Sequence, residues 1–139
     1  MNLQFGNVIS PEEYNAMRIA VNWKPLSQRQ VDNVLCNTEH FITALDGDRM
    51  VGLCRILTDH ANIYFIADVI VLPNFHGQGL GRLLMERALS YIDSDIEPGE
   101  TVQIHLMSVK GREGFYDKFG FRRRPDEEFG HGMTQWYTK

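Results

Sequence analysis

The chain has 139 residues, 14 of them basic and 18 acidic, and the resulting charge of −4 argues against a broad nucleic-acid-binding surface. Hydrophobic residues make up 43% and charged residues 23%, as in ordinary globular proteins, and no apolar run approaches the ~18 residues of a membrane span. The length suits one domain, residues 1–139, with its own core. The segment Met1–Ser10 has neither a basic start nor an apolar stretch, so no secretory signal is expected. Cys36 and Cys54 lie in apolar contexts and are too few for a disulfide framework, which makes the cytoplasm the expected compartment.

Ser10-Pro11-Glu12-Glu13 reads as a capping box and predicts a helix with Tyr14, Met17, Ile19 and Val21 on a mostly apolar side. Ser27 and Gln30 repeat the signal before Val31, Val34 and Leu35, and Trp23 lies in the loop between the two helices. The period then changes. Residues 41–45 and 50–57 flank Asp46-Gly47-Asp48 and predict a hairpin. Residues 63–72 form a long apolar strand that ends before Pro73 and is interrupted by one carboxylate, Asp68. Leu80, Leu83, Leu84, Ala88, Leu89 and Ile92 fall three or four apart and predict a helix with one core-facing stripe. Residues 102–107 alternate as a strand does, a short helix from about Gly111 ends at Gly120, and Phe121 and residues 133–137 are expected as last strands. That order indicates a mixed α/β domain.

The loop from Pro73 to Gly81 carries three glycines in five positions between a buried strand and an amphipathic helix. Glycines let backbone N–H groups approach a ligand, and a helix start adds unpaired donors, so the loop suits a phosphate or pyrophosphate. It is not a Walker A loop, because Gly81 is followed by Arg82-Leu83, and a dinucleotide fingerprint lacks its third glycine. Alone, the loop reads equally well as a tight strand-to-helix connection.

A second motif, Phe115-Tyr116-Asp117-Lys118-Phe119-Gly120-Phe121, adds to it. With both, the sequence resembles the GCN5-related N-acetyltransferase (GNAT) superfamily. The family's Arg/Gln-x-x-Gly-x-Gly/Ala motif is met by residues 76–81 except at His76, and its Phe-Tyr-x-Lys-x-Gly-Phe signature is met in full. The resemblance implies an α+β fold: a mixed, mostly antiparallel sheet with a splayed parallel strand pair, flanked by helices. It also implies acetyl-coenzyme A as cosubstrate, bound between the splayed strands. Backbone groups of Val69, Ile70 and Val71 would pair with the pantetheine arm. His76 and the amides of Gly77, Gln78, Gly79, Leu80, Gly81 and Arg82 would hold the pyrophosphate. Ser108 stands in the region where many members carry an asparagine, and is a further cofactor contact.

By the same resemblance Tyr116 protonates the departing thiolate, chemistry that a phenol can perform. Asp68 is the candidate base for the attacking amine. An isolated carboxylate in an apolar strand needs a partner, so it also reads as a partner for Arg55 or part of a structural network. His105 is a second candidate base. Trp23, Arg55, Tyr64 and residues 129–133 are the candidate acceptor contacts, and Arg122-Arg123-Arg124 reads as a solvated cluster. The five histidines show no metal-ligand spacing, so no metal is expected. The expected activity is direct transfer of acetyl to a primary amine of a small molecule. A peptide acceptor and an acyl-coenzyme A sensor without turnover are the alternatives. The expected partners are that amine and a second copy of the chain, with no nucleic acid and no membrane.

Overall fold

The computed structural model describes all 139 residues, which form two compact units, Met1–Leu106 and Met107–Lys139. In the first, β1 (Leu3–Gly6) is followed by α1 (Pro11–Ala20), α2 (Gln28–Asn37), β2 (His40–Asp46), β3 (Arg49–Thr58) and β4 (Ile63–Val71). A short turn at Pro73–Phe75 then leads into α3 (Leu80–Asp95) and β5 (Gln103–Leu106). The second unit holds one helix, α4 (Glu113–Asp117). No helix is long and apolar enough to cross a membrane.

Both predicted capping boxes form. Ser10 Oγ accepts from the Glu13 amide at 3.1 Å, and the Glu13 carboxylate accepts from the Ser10 amide at 2.8 Å. Ser27 and Gln30 repeat the exchange at the start of α2. A cap of this type is worth about 1 kcal/mol of helix stability.

The five strands lie in the order β1-β2-β3-β4-β5, antiparallel except for the parallel β4–β5 pair. The hairpin turns at Gly47, whose φ of +61° is open to glycine without strain. β5 runs beside β4 only from Ile63 to Ile66, so the later residues of β4 have no β5 partner.

Each face of the sheet takes different helices. Gly52 of β3 lies under α3, where a Cβ would stand 3.2 Å from the Leu80 and Leu84 side chains. Arg55 and Leu57, of opposite parity on the same strand, face α2. The predicted stripe of α3 supplies its buried side: Leu80, Leu84, Ala88 and Ile92 are buried, joined by Met85, while Leu83 and Leu89 are half-buried.

Two sequence expectations are corrected. No last strand forms at Phe121 or at residues 133–137. Met133 and Tyr137 would share one face of such a strand and Trp136 the other, so it would have no single apolar side, and all three are exposed. Conversely β1, which no expectation covered, pairs with β2 from Leu3↔Asp46 to Gly6↔Thr43.

Candidate functional site

The glycine loop follows β4 and the short turn at Pro73–Phe75. Gly77 and Gly79 have φ of +74° and +81°, and a Cβ on either would meet nothing within 4 Å. Conformation, not crowding by the protein, therefore calls for glycine there. Gly79 is the N-cap of α3 and, unlike Ser10 and Ser27, offers no capping side chain. Leu83 is the first amide of the helix to bond back, to the Gly79 carbonyl at 3.1 Å. The amides of Leu80, Gly81 and Arg82 thus stand at the positive end of a 16-residue helix without helical partners. His76 turns back on the loop, its Nε2 donating to the Val71 carbonyl at 2.7 Å, and Gln78 Nε2 donates to the Asn74 carbonyl at 2.9 Å. The Arg82 side chain pairs with Glu86 at 2.7 Å.

A bulge lies just before that loop. Arg55 of β3 faces Ala67 and Leu53 faces Ile70, so Asp68 and Val69 together oppose Cys54. Asp68 has φ of +52°, rare for a residue with a side chain. Regular alternation would give Asp68 the same face as Tyr64 and Ile66. The bulge turns it over. Its carboxylate meets Arg55 Nε at 2.7 Å, the Tyr14 hydroxyl at 2.5 Å and Arg18 Nη1 at 3.7 Å. Arg55 Nη1 also reaches Thr38 Oγ1 at 3.2 Å, and the Arg18 guanidinium lies 5.5 Å from the centre of the Trp23 ring. Burial, followed by the hydrogen bond to Asp68, pushes the Tyr14 phenol up to about 12.

In the second unit, Tyr116 is buried, with its ring edge-on to Phe115 at 4.9 Å and to Phe121 at 6.4 Å. Gly120, with φ of +86°, follows the short helix. Ser108 Oγ donates to the Val109 carbonyl at 2.8 Å.

A family model described as an acetyltransferase (GNAT) domain matches residues 37–123, well over half of the chain. The chain belongs to the GNAT family. Its strand order, with one parallel pair and flanking helices, is the fold of its GNAT neighbours. One is the crystal structure of a protein from meticillin-resistant Staphylococcus aureus called a probable acetyltransferase. It is 30% identical, with a TM-score of 0.85 over 97% of this chain and 99% of that one. A GNAT family protein from Streptococcus pneumoniae is 27% identical, with a TM-score of 0.79 over 99% of this chain and 98% of that one. GCN5-related N-acetyltransferase 2 of Arabidopsis thaliana is 33% identical over 66% of this chain, which spans only 33% of that relative.

For a GNAT site, the structure brings Trp23, Arg55 and Asp68 into one cluster and adds Tyr14, Arg18 and Thr38, which sequence reasoning missed. The available signal was the i,i+4 spacing of Tyr14 and Arg18, which puts both on one side of α1. Tyr64 is not part of this cluster, and that acceptor expectation is corrected. It is fully buried and its hydroxyl donates to Asp95, the last residue of α3. His60 meets the same Asp95 oxygen through Nδ1 at 2.8 Å and meets Glu39 through Nε2 at 3.0 Å. His105 shares a 3.1 Å contact with Gln103.

The arginine run is exposed but partnered: Arg122 pairs with Asp126, Arg123 with Asp117, and Arg124 Nε donates to the Gly130 carbonyl. Cys54 is buried and its thiol is pushed up to about 12, mainly by burial, so it is not a thiolate nucleophile near neutral pH.

Proposed function

We propose that this GNAT domain moves the acetyl group of acetyl-coenzyme A onto the primary amine of a small molecule, with both substrates bound at once. The uncapped start of α3 carries the reading: two left-handed glycines with open space above them, and helix amides without protein partners, suit a pyrophosphate. A GNAT acetyltransferase of Elizabethkingia anophelis with acetyl-coenzyme A bound supports it at the level of fold, at 18% identity and a TM-score of 0.67 over 89% of this chain and 78% of that one.

Acetyl-coenzyme A supplies an activated carbonyl: the amine nitrogen bonds to its carbon, the carbon–sulfur bond breaks, and the sulfur leaves as a thiolate. Gly77 to Arg82 hold the phosphates through their amides, while backbone groups of Val69, Ile70 and Val71 orient the arm. Tyr116 gives its phenolic proton to the leaving thiolate and takes one back from water. Asp68 already accepts from Arg55 and Tyr14, so we assign it to positioning these groups, with the amine proton passing to water.

A second reading comes from the peptidyl-lysine N-acetyltransferase YjaB of Salmonella typhimurium, 29% identical over 66% of this chain and 56% of that relative. It makes a protein lysine the acceptor.

Thiol release from acetyl-coenzyme A across small amines, amino acids, polyamines and lysine peptides separates these readings. Turnover with a small amine is expected, and Tyr116→Phe is expected to lower kcat by about 10²-fold. Peptides outcompeting every small amine would make the lysine reading correct. Cofactor binding without turnover on any acceptor would leave a sensor.

A further inference from the structure

One face of α2 and the adjoining strand make a second candidate surface. Arg29, Asn33 and Asn37 recur four apart on the helix, with Gln30 beside Arg29 and three before Asn33. With Leu26, Val34, and Arg55 and Leu57 of β3 they line a groove of about 310 Å³, whose floor includes three apolar side chains. The groove is shallow and open to solvent. Three of these side chains are amides and two are guanidiniums, and no carboxylate lines the groove, although the chain as a whole carries −4.

Both guanidiniums keep free donors. Arg29 is exposed and makes no ion pair or hydrogen bond within the chain. The Asp32 carboxylate, one turn along, places a negative charge near it but accepts from Gln28 at 2.8 Å and not from Arg29. Arg55 spends Nε on Asp68 and Nη1 on Thr38, leaving Nη2 without a protein partner. Arg18 and Arg55 share the single carboxylate of Asp68, so that cluster keeps one net positive charge beside the groove. Guanidiniums present paired donors that match a carboxylate or phosphate, and side-chain amides add neutral hydrogen bonds.

We propose that this groove binds the acidic end of the acceptor, so that the preferred substrate is an amine that also carries a carboxylate or phosphate. The assignment rests on the acetyltransferase reading, in which Arg55 links the groove to the bulge at Asp68. It runs against the acceptor that net charge alone suggests, a polycation.

The test compares four acceptors of matched length: an aminocarboxylate, its neutral amide, an aminoalkyl phosphate and a diamine. At least one anionic acceptor should exceed the amide and the diamine in kcat/KM by about tenfold or more, as expected for one charge-assisted contact. The better of the two anions names the head group. Arg29→Gln should raise KM for the anionic acceptors about tenfold while KM for the amide and for acetyl-coenzyme A stays in place. Arg49→Gln, which removes the same charge from the far end of β3, should do neither. A preference for the diamine, or an equal loss for amide and anion in Arg29→Gln, overturns the proposal.

A readout without turnover keeps the two readings apart. Glutarate, a dicarboxylate with no amine, should bind the wild-type protein by calorimetry and bind Arg29→Gln about tenfold more weakly. Glutarate binding with no thiol release from any acceptor would leave the groove standing and remove the enzyme reading. Thiol release without anion preference or glutarate binding would remove the groove alone.

Discussion

Arg55 and Asp68 are joined, Nε to Oδ2, at 2.7 Å, although regular alternation along β4 would turn Asp68 to the opposite face of the sheet. The bulge at Asp68 and Val69 makes the pairing possible, and the pairing in turn compensates the left-handed backbone at Asp68. Tyr14 and Arg18 of α1 complete the arrangement, so a backbone irregularity in one strand fixes a helix, a neighbouring strand and the end of β4 that leads into the glycine loop.

Breaking that pairing from its acidic side should be the more damaging change. Asp68→Asn leaves Arg18 and Arg55 facing each other without a counter-charge. It should cost on the order of 2–3 kcal/mol in urea unfolding, between the limits for exposed and buried pairs. Adding Arg55→Gln to Asp68→Asn should cost less than the sum of the two single changes. Strict additivity would show that the contact is energetically idle.

Tyr14→Phe removes a donor from a partly buried carboxylate and should lower stability by about 1–3 kcal/mol. The phenol is held up to about 12 by burial and then by Asp68, while the unfolded chain ionises near ~10. Between those values the native state keeps a proton that the unfolded state releases, so stability falls as pH rises through that window. In an alkaline absorbance titration, Tyr14→Phe should lose one late-ionising tyrosine. An unchanged late phase would contradict this assignment.

Gly79→Ala and Gly52→Ala should fail for different reasons. At Gly79 there is no neighbour within 4 Å, so the cost is the left-handed backbone, about 1–3 kcal/mol, accompanied by a higher KM for acetyl-coenzyme A. At Gly52 the new methyl lies 3.2 Å from Leu80 and Leu84, so the cost of about 1–3 kcal/mol is overpacking. Trimming Leu84 to Val should therefore cost less in the Gly52→Ala background than in wild type, with the Leu80 contact remaining, and should cost the same in the Gly79→Ala background as in wild type, as read by thermal unfolding.

His60 ties the C-terminal end of α3 to the start of β2, with both ring nitrogens against carboxylates. Its hydrogen bonds to Asp95 and then to Glu39 raise its pKa. Its contribution is therefore fully present below the unfolded value of ~6.5 and is lost as pH rises through the raised folded value. Melting curves should show His60→Gln destabilised most at about pH 6, with wild type and variant converging in the alkaline range. A difference that grows with pH would reverse the assignment.

What could be read from sequence was local. The two capping boxes, the Gly47 turn and the glycine loop each depend on residues within a few positions, so their side chains announce them. β1 depends on Asp46 and Thr43, some forty residues away, and its four residues carry little pattern of their own. Of the cluster around Asp68, the sequence offered Arg55 as a partner, and the structure pairs the two. Tyr14, Arg18 and Thr38 join only because the bulge turns Asp68 over, and no residue in the sequence marks that bulge. Tyr64 was misplaced for the same reason: it and Asp68 share strand parity, and only the bulge separates them onto different faces.

Helices α1 and α2 are closed by their own serines, whereas α3 begins on a glycine with nothing to offer its first turn. A ligand that completes that turn binds the native chain and not the unfolded one. At a hundredfold excess over its dissociation constant it would add about 2.7 kcal/mol to the folding equilibrium. For so small a domain that is a sizeable share of the total, so its lifetime against heat or proteolysis would follow the supply of its cosubstrate.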